Sequence, residues 1–294
     1  MMTASGGLRW AKAAAFALVT VGAIAGPAHA DSIAITYSPA GQVQGDFAAL
    51  CAHATTCDYG TENFANWTGG DFTSSFTTGA HSLAGGAMFT GQYSALDGTT
   101  TSQWVPMPQN QYGGVNGLQY PELFGPGALP GPPGQTESAY QITLTATGLP
   151  GGVGPNYFGV WISALDPFND LQIYNTSNQL IAEFNSPTLI SALGGCTSGP
   201  NSDCANPTPQ FACYDPNELF AFVNVFDLNG SIGKVVLYDS GASGFESDND
   251  TVACISPISL FGTSLPTPIA EPMTLSLLAS SAIGLAMLRT RRRA

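Results

Sequence analysis

The sequence predicts an all-β protein, a two-sheet jelly-roll-like β-sandwich with one short helix and an apolar segment at each end. Three observations predict it. Strand-length runs, some alternating apolar with polar residues and some uniformly apolar, recur through the second half between Gly, Asn and Ser turns. All six cysteines lie in the interior of the chain, at positions 51, 57, 196, 204, 213 and 254. Only 9% of residues are charged, and Gly, Thr, Ser, Asn and aromatics are abundant, which is not the composition of acidic disorder.

At the N-terminus, Arg9 and Lys12 precede an apolar stretch over 13–26, and Ala28-His29-Ala30 is a small-x-small cleavage pattern before Asp31. A basic, an apolar and an A-x-A region in that order read as a secretory signal peptide over 1–30, with signal peptidase cutting after Ala30. Residues 31–264 then form a single β-sandwich domain, a length routine for one all-β unit.

Residues 33–37 open the domain as a strand that joins the later sheet. Residues 60–105 mix Gly, Thr, Ser and aromatics in weak alternation. The stretch 106–134 is rich in Pro and Gly and reads as a long surface loop, because proline removes ladder donors. Residues 140–147 alternate as a half-buried strand does, and 157–163 are apolar enough for an inner strand. Runs at 171–174 and 180–184 flank Asn175-Thr176-Ser177-Asn178 and read as a hairpin. Runs at 220–226 and 231–238 flank Asp227-Leu228-Asn229-Gly230 and read as a second hairpin, on its Asn-Gly signal. Between the two, Ser186 as N-cap, Pro187 at the first helical position and Gly194-Gly195 as the stop predict the one helix. Residues 251–255 close the series.

An even cysteine count in an exported chain reads as a disulfide framework with 15 possible connectivities. The preferred pairing is Cys51–Cys57, Cys196–Cys204 and Cys213–Cys254. Zinc is disfavoured: the spacings are not C-x-x-C, and only His53 and His81 are available beside them.

Between residues 31 and 270 one Lys, Lys234, stands against 19 Asp and Glu, a net formal charge of −18. Such a body has no footprint for nucleic acid and is repelled by bare anionic membrane, so its partners are cations, neutral glycans such as exopolysaccharide, or other surface proteins.

The most site-like segment is 239–250. Glu246, Asp248 and Asp250 are spaced by two, so an extended chain points them to one face, where Asp239, Asn249 and loop carbonyls complete an oxygen shell for calcium. The preferred reading of the segment is a solvated acidic loop, with calcium as the competitor. Asp166, Asp170 and Glu183 are the carboxylates available to a glycosidase, although nothing selects a pair. There is no G-x-S-x-G elbow, and His53 and His81 read as exposed loop residues. No catalytic residue is assigned. Trp67, Trp104, Tyr93 and Tyr112 are either a sugar-stacking platform or ordinary packing, the latter preferred, and Trp161 is core.

The C-terminus has its own logic. Ile269-Ala270-Glu271-Pro272 is followed by an apolar run of 16 residues, 273–288, and then by Arg289-Thr290-Arg291-Arg292-Arg293-Ala294. The run is at or just under the roughly 17–25 residues a spanning helix needs, with four of the seven basic residues behind it. This 265–294 segment resembles the PEP-CTERM sorting signal of Gram-negative bacteria, with Ala270 standing where that family has its first proline. The resemblance implies an exosortase that reads Glu271 and Pro272, a transient inner-membrane anchor backed by Arg291, Arg292 and Arg293, and delivery to the cell surface or extracellular matrix. The body also resembles exosortase-dependent surface proteins, on Tyr120-Pro121-Glu122-Leu123-Phe124, residues 157–166, Phe220-Ala221-Phe222-Val223-Asn224 and Gly244-Phe245-Glu246-Ser247-Asp248-Asn249. The expected role is non-enzymatic and structural or interactive; a calcium-assisted glycan-binding module and a secreted glycan hydrolase are the alternatives.

Overall fold

The computed structural model describes residues 32–82, 86–96, 104–124, 138–149, 154–196, 203–241 and 244–265. The expected signal peptide and the C-terminal apolar helix lie outside these. Among the described residues no helix is long and apolar enough to cross a membrane.

The described chain is mostly β. Its strands are β1 (Ile33–Tyr37), β2 (Thr56–Glu62), β3 (Phe72–Ser74), β4 (Thr78–Ser82), β5 (Met88–Ala95), β6 (Trp104–Met107), β7 (Tyr120–Phe124) and β8 (Ser138–Thr147). They continue with β9 (Tyr157–Leu165), β10 (Asn169–Asn175), β11 (Leu180–Asn185), β12 (Leu219–Asp227), β13 (Ile232–Asp239), β14 (Gly244–Ser256) and β15 (Thr263–Ser264). Two helices are short, α1 (Phe47–Cys51) and α2 (Ser186–Ala192).

The strands form two antiparallel sheets. The first runs β15-β1-β12-β9-β14-β2-β4, with β7 also on β14 and β6 on β7; the second runs β11-β10-β13-β8-β5-β3. One main core cluster draws Val160, Ile162, Val223 and Val252 from the first sheet, and Ile142, Leu171, Val235 and Leu237 from the second. Alternate residues of β9 and β12 point the other way, and segments of chain cover them. Leu50, Tyr157 and Phe226 cluster there, as do Val115, Trp161, Phe220 and Phe222. This second burial explains why both strands are apolar at nearly every position instead of alternating.

The strand at 33–37 joins the later sheet as expected, on β12. The hairpin over 171–184 forms as β10 and β11. The second expected hairpin does not: β12 lies between β1 and β9 in one sheet, while β13 lies between β10 and β8 in the other. Asp227 Oδ1 accepts the Asn229 and Gly230 N–H groups at 3.3 and 2.8 Å, so a local turn forms, but it carries the chain across the sandwich. Both edges of β12 are already occupied, and that decides the crossing.

The helix starts one residue earlier in its capping than expected. Asn185 is the N-cap, accepting from Thr188 N at 3.1 Å, and the Ser186 hydroxyl bonds the Asn169 carbonyl instead. The 106–134 stretch is not wholly loop. β6 and β7 pair with Pro106 opposite Pro121, a non-hydrogen-bonded position at which neither proline forfeits a ladder bond. Residues 125–134 lie outside the description.

Cys51–Cys57 and Cys196–Cys204 are disulfides as expected. The third expected pair is not formed: Cys213 and Cys254 are free. Cys254 is one residue past Ala253, which stands opposite Tyr157 at the start of β9. The Cys213 loop leads into Leu219, opposite Leu165 at the other end of that strand. Nine extended residues separate the two ends by roughly 26 Å, far beyond the reach of a disulfide.

Candidate functional site: a buried carboxyl seam

The acidic segment expected as a loop is the first half of β14, the longest strand, and it is buried from Phe245 to Ala253. Burial changes what its carboxylates do. Glu246 stands directly opposite Glu122 of β7 on one side and Ser163 of β9 on the other. Directly opposed side chains share a face with Cβ atoms about 4.5–5.5 Å apart. Asp248 stands opposite Trp161, two residues along on the same outer face.

The strand then changes phase. Asn249 adopts a left-handed backbone, φ 53°, at a register shift between Asp248 and Thr251. Asn tolerates that conformation, and the bulge turns the next side chain over. Asp250 therefore points into the space between the sheets, where Tyr93 of β5 donates its hydroxyl to Asp250 Oδ2 at 2.9 Å. Ser247, inward before the bulge, bonds the Tyr140 hydroxyl at 2.8 Å. The spacing by two thus does not place Glu246, Asp248 and Asp250 on one face. Asp239, at the end of β13 in the other sheet, accepts from Gly241 N at 2.7 Å. The four carboxylates expected for calcium fall on three surfaces, and among the described residues no three His, Cys, Asp or Glu side chains gather as a metal shell.

What gathers instead is a carboxyl pair. Glu122 and Glu246 are both buried, at 8% and 5% exposure. The Tyr120 hydroxyl donates to Asn110 Oδ1 at 3.1 Å and toward Glu122 Oε2 at 3.4 Å. Gly244 and Gly113 floor the seam. A Cβ at Gly244 would lie 2.4 Å from a Glu246 oxygen and 2.8 Å from a Glu122 oxygen, and one at Gly113 would meet the Tyr120 ring and Ser163 Oγ. Burial raises the Glu246 pKa well above the carboxylate range, and the neighbouring Glu122 charge raises it further. Burial also raises Glu122, partly offset by hydrogen bonds from Tyr120 and Glu246. Two carboxyls this close and this dry resist ionising together, which is why both are raised.

The surrounding acids share the direction. Burial, then the Asp215 and Asp166 charges, push Glu218 up to about 7. Asp239 rises to about 7 through burial, despite the Gly241 N–H. Asp250 rises to about 8 through burial, with the Tyr93 hydrogen bond working against the shift. Burial likewise raises Asp248 well above its ordinary value, offset in part by the Asn249 N–H. No Lys or Arg answers them: Lys234, the one such residue described, lies 4.0 Å over the Tyr174 ring in the other sheet.

The remaining sequence candidates are dispersed. Trp104, Tyr93 and Trp67 stack within the core, with Trp104 on Tyr140 at 4.6 Å and Tyr93 on Phe72 at 4.4 Å, so the preferred packing reading holds. Tyr112 is the exposed member of that set. Trp161 is buried, on the outer face. Asp170 lies on β10 with its carboxyl raised by burial, Glu183 on β11 accepts from Gln172 at 3.0 Å, and Asp166 sits in the loop before β10. His53 is exposed after α1, and His81 lies on β4.

Sequence reasoning missed Glu122, Tyr120 and Ser163 as site residues. A glutamate between Pro121 and Leu123 inside an apolar five-residue run was the available signal, since a charge there is either an edge residue or a buried partner. Three of the four segments quoted for the body resemblance are the neighbouring strands β7, β14 and β9 that build this seam, and the fourth, on β12, flanks it.

These features define a class: a disulfide-bonded antiparallel sandwich with a buried carboxyl pair in one sheet. No protein-family model matches the chain, and comparisons with curated proteins and with solved structures found no match.

Proposed function

We propose that this chain is an exported protein that serves at the cell surface or in the extracellular matrix of a Gram-negative bacterium. It acts as a structural or interaction component and reaches its place through an exosortase that reads its C-terminal tag. In this reading signal peptidase removes 1–30, the apolar segment 273–288 holds the precursor transiently in the inner membrane, and the jelly-roll-like body is released or attached outside. The observation that carries the reading is the closure of Cys51–Cys57 and Cys196–Cys204, which fits an oxidising compartment. The ordered Glu271-Pro272, apolar and arginine segments support the sorting route, and a body of net −18 suits neutral glycan, cationic or protein partners better than anionic ones.

Replacing Glu271 and Pro272 together with Ala is expected to leave an unprocessed precursor in the membrane fraction, visible as a larger species on immunoblot. Processing at the normal rate and to the normal size would remove the sorting route.

A further inference from the structure

At one end of the sandwich, where β2 begins and β8, β12 and β14 end, lies a cavity of about 940 Å³. Small-molecule sites commonly run from about 300 to 1,000 Å³. Leu149, Leu228 and Ile258 give the wall an apolar portion. Its polar groups are mostly engaged. Asn156 spends both ends of its amide on the backbone of Ile255, at 2.9 Å each, and Asp227 Oδ1 holds its turn.

Asp58 differs. It is 3% exposed, it lines the cavity, and its Oδ1 atom has no hydrogen-bond partner. A carboxylate oxygen withdrawn from water without a partner is costly, so the site is complete only when something donates to it. Directly opposite on β14 stands Cys254, a free thiol in the same wall. Burial, then the Asp58 charge, raises the Cys254 pKa, so the thiol is held protonated beside the carboxylate.

We propose that this cavity binds a small organic ammonium, its charged nitrogen seated on the Asp58 carboxylate and its apolar body against Leu149, Leu228 and Ile258. An anion is repelled by Asp58 and Asp227, and a neutral apolar guest leaves Asp58 unpaired. A hard metal ion needs six or more oxygens gathered around it, and among the described residues no three His, Cys, Asp or Glu side chains gather as such a shell.

The two free thiols supply an internal control, because Cys213 is exposed at the far end of the strands. The intact protein is alkylated with iodoacetamide, and labelling of Cys254 and Cys213 is followed by peptide mass spectrometry. Hexylammonium at ten times its Kd should slow Cys254 labelling about tenfold and leave Cys213 unchanged. Asp58→Asn should remove the protection; if that variant does not fold, the wild-type comparison of guests still decides. Equal protection by 1-hexanol would reduce the site to an apolar void and overturn the proposal. Protection by calcium ion alone, or no protection of Cys254 by hexylammonium, would overturn it as well.

Discussion

At the scale of single residues, the informative feature is that carboxyl groups are buried without cations. Each raised carboxyl binds its proton more tightly in the folded chain than in the unfolded one. The stability this confers is fully present below the unfolded values near 4 and is lost as pH rises through the folded ones. For Glu218 and Asp239 those lie at about 7, and for Asp250 at about 8. The window of falling stability therefore runs from about pH 4 to pH 8. Asp250 is the cleanest probe, because it is fully buried and its Oδ2 accepts from the Tyr93 hydroxyl. Asp250→Asn keeps the shape and an acceptor for Tyr93 but has no proton to lose. At pH 8 it is expected to raise Tm by about 5 °C, and at pH 4 to match the wild type within about 2 °C. A thermal melt series over that range checks it; a lower Tm for the variant at pH 8 would contradict the account of the site.

Among elements, β14 shows what the sequence could and could not disclose. Its spacing of Glu246, Asp248 and Asp250 was legible, and so was the strand at 251–255. The bulge at Asn249 was not, because a left-handed residue is fixed by the strands on either side and not by its own type. One misplaced phase sends Asp250 inward and dissolves the expected calcium shell. The Asn-Gly signal after β12 failed for a related reason: a turn motif specifies local backbone, while the free edge it needs is a property of the whole sheet. Apolar runs such as β9 and β12 were legible because they are buried on both faces. Glu122 was hidden by its proline-rich surroundings, since two facing prolines form a ladder that neither predicts alone. The short disulfide loops were legible from spacing, and the long-range pair was not, because strand length placed its members at opposite ends. The Cys196–Cys204 bridge follows α2 and leads toward β12, so Cys196→Ser with Cys204→Ser should cost about 2.5 kcal/mol from loop closure. Urea unfolding of the double variant measures this; an unchanged midpoint would mean that the 196–204 loop is already constrained by its packing.

Across the whole molecule, the two sheets and the covered outer face of β9 and β12 make a body closed by two disulfides, which fits an oxidising compartment. Its scarcity of basic side chains and its raised, buried carboxyls favour mildly acidic surroundings over alkaline ones. In the route proposed above, the two ends of the chain carry the signals that take this body out of the cytoplasm. The most direct test is the intact mass and terminal-peptide mass of the protein recovered from its native host, with cells and medium analysed separately. Export and sorting predict an N-terminus at Asp31 and loss of everything beyond about Pro272, with both short disulfides closed. A recovered chain that still carries Arg291 to Arg293, or still begins before Ala28, would contradict it.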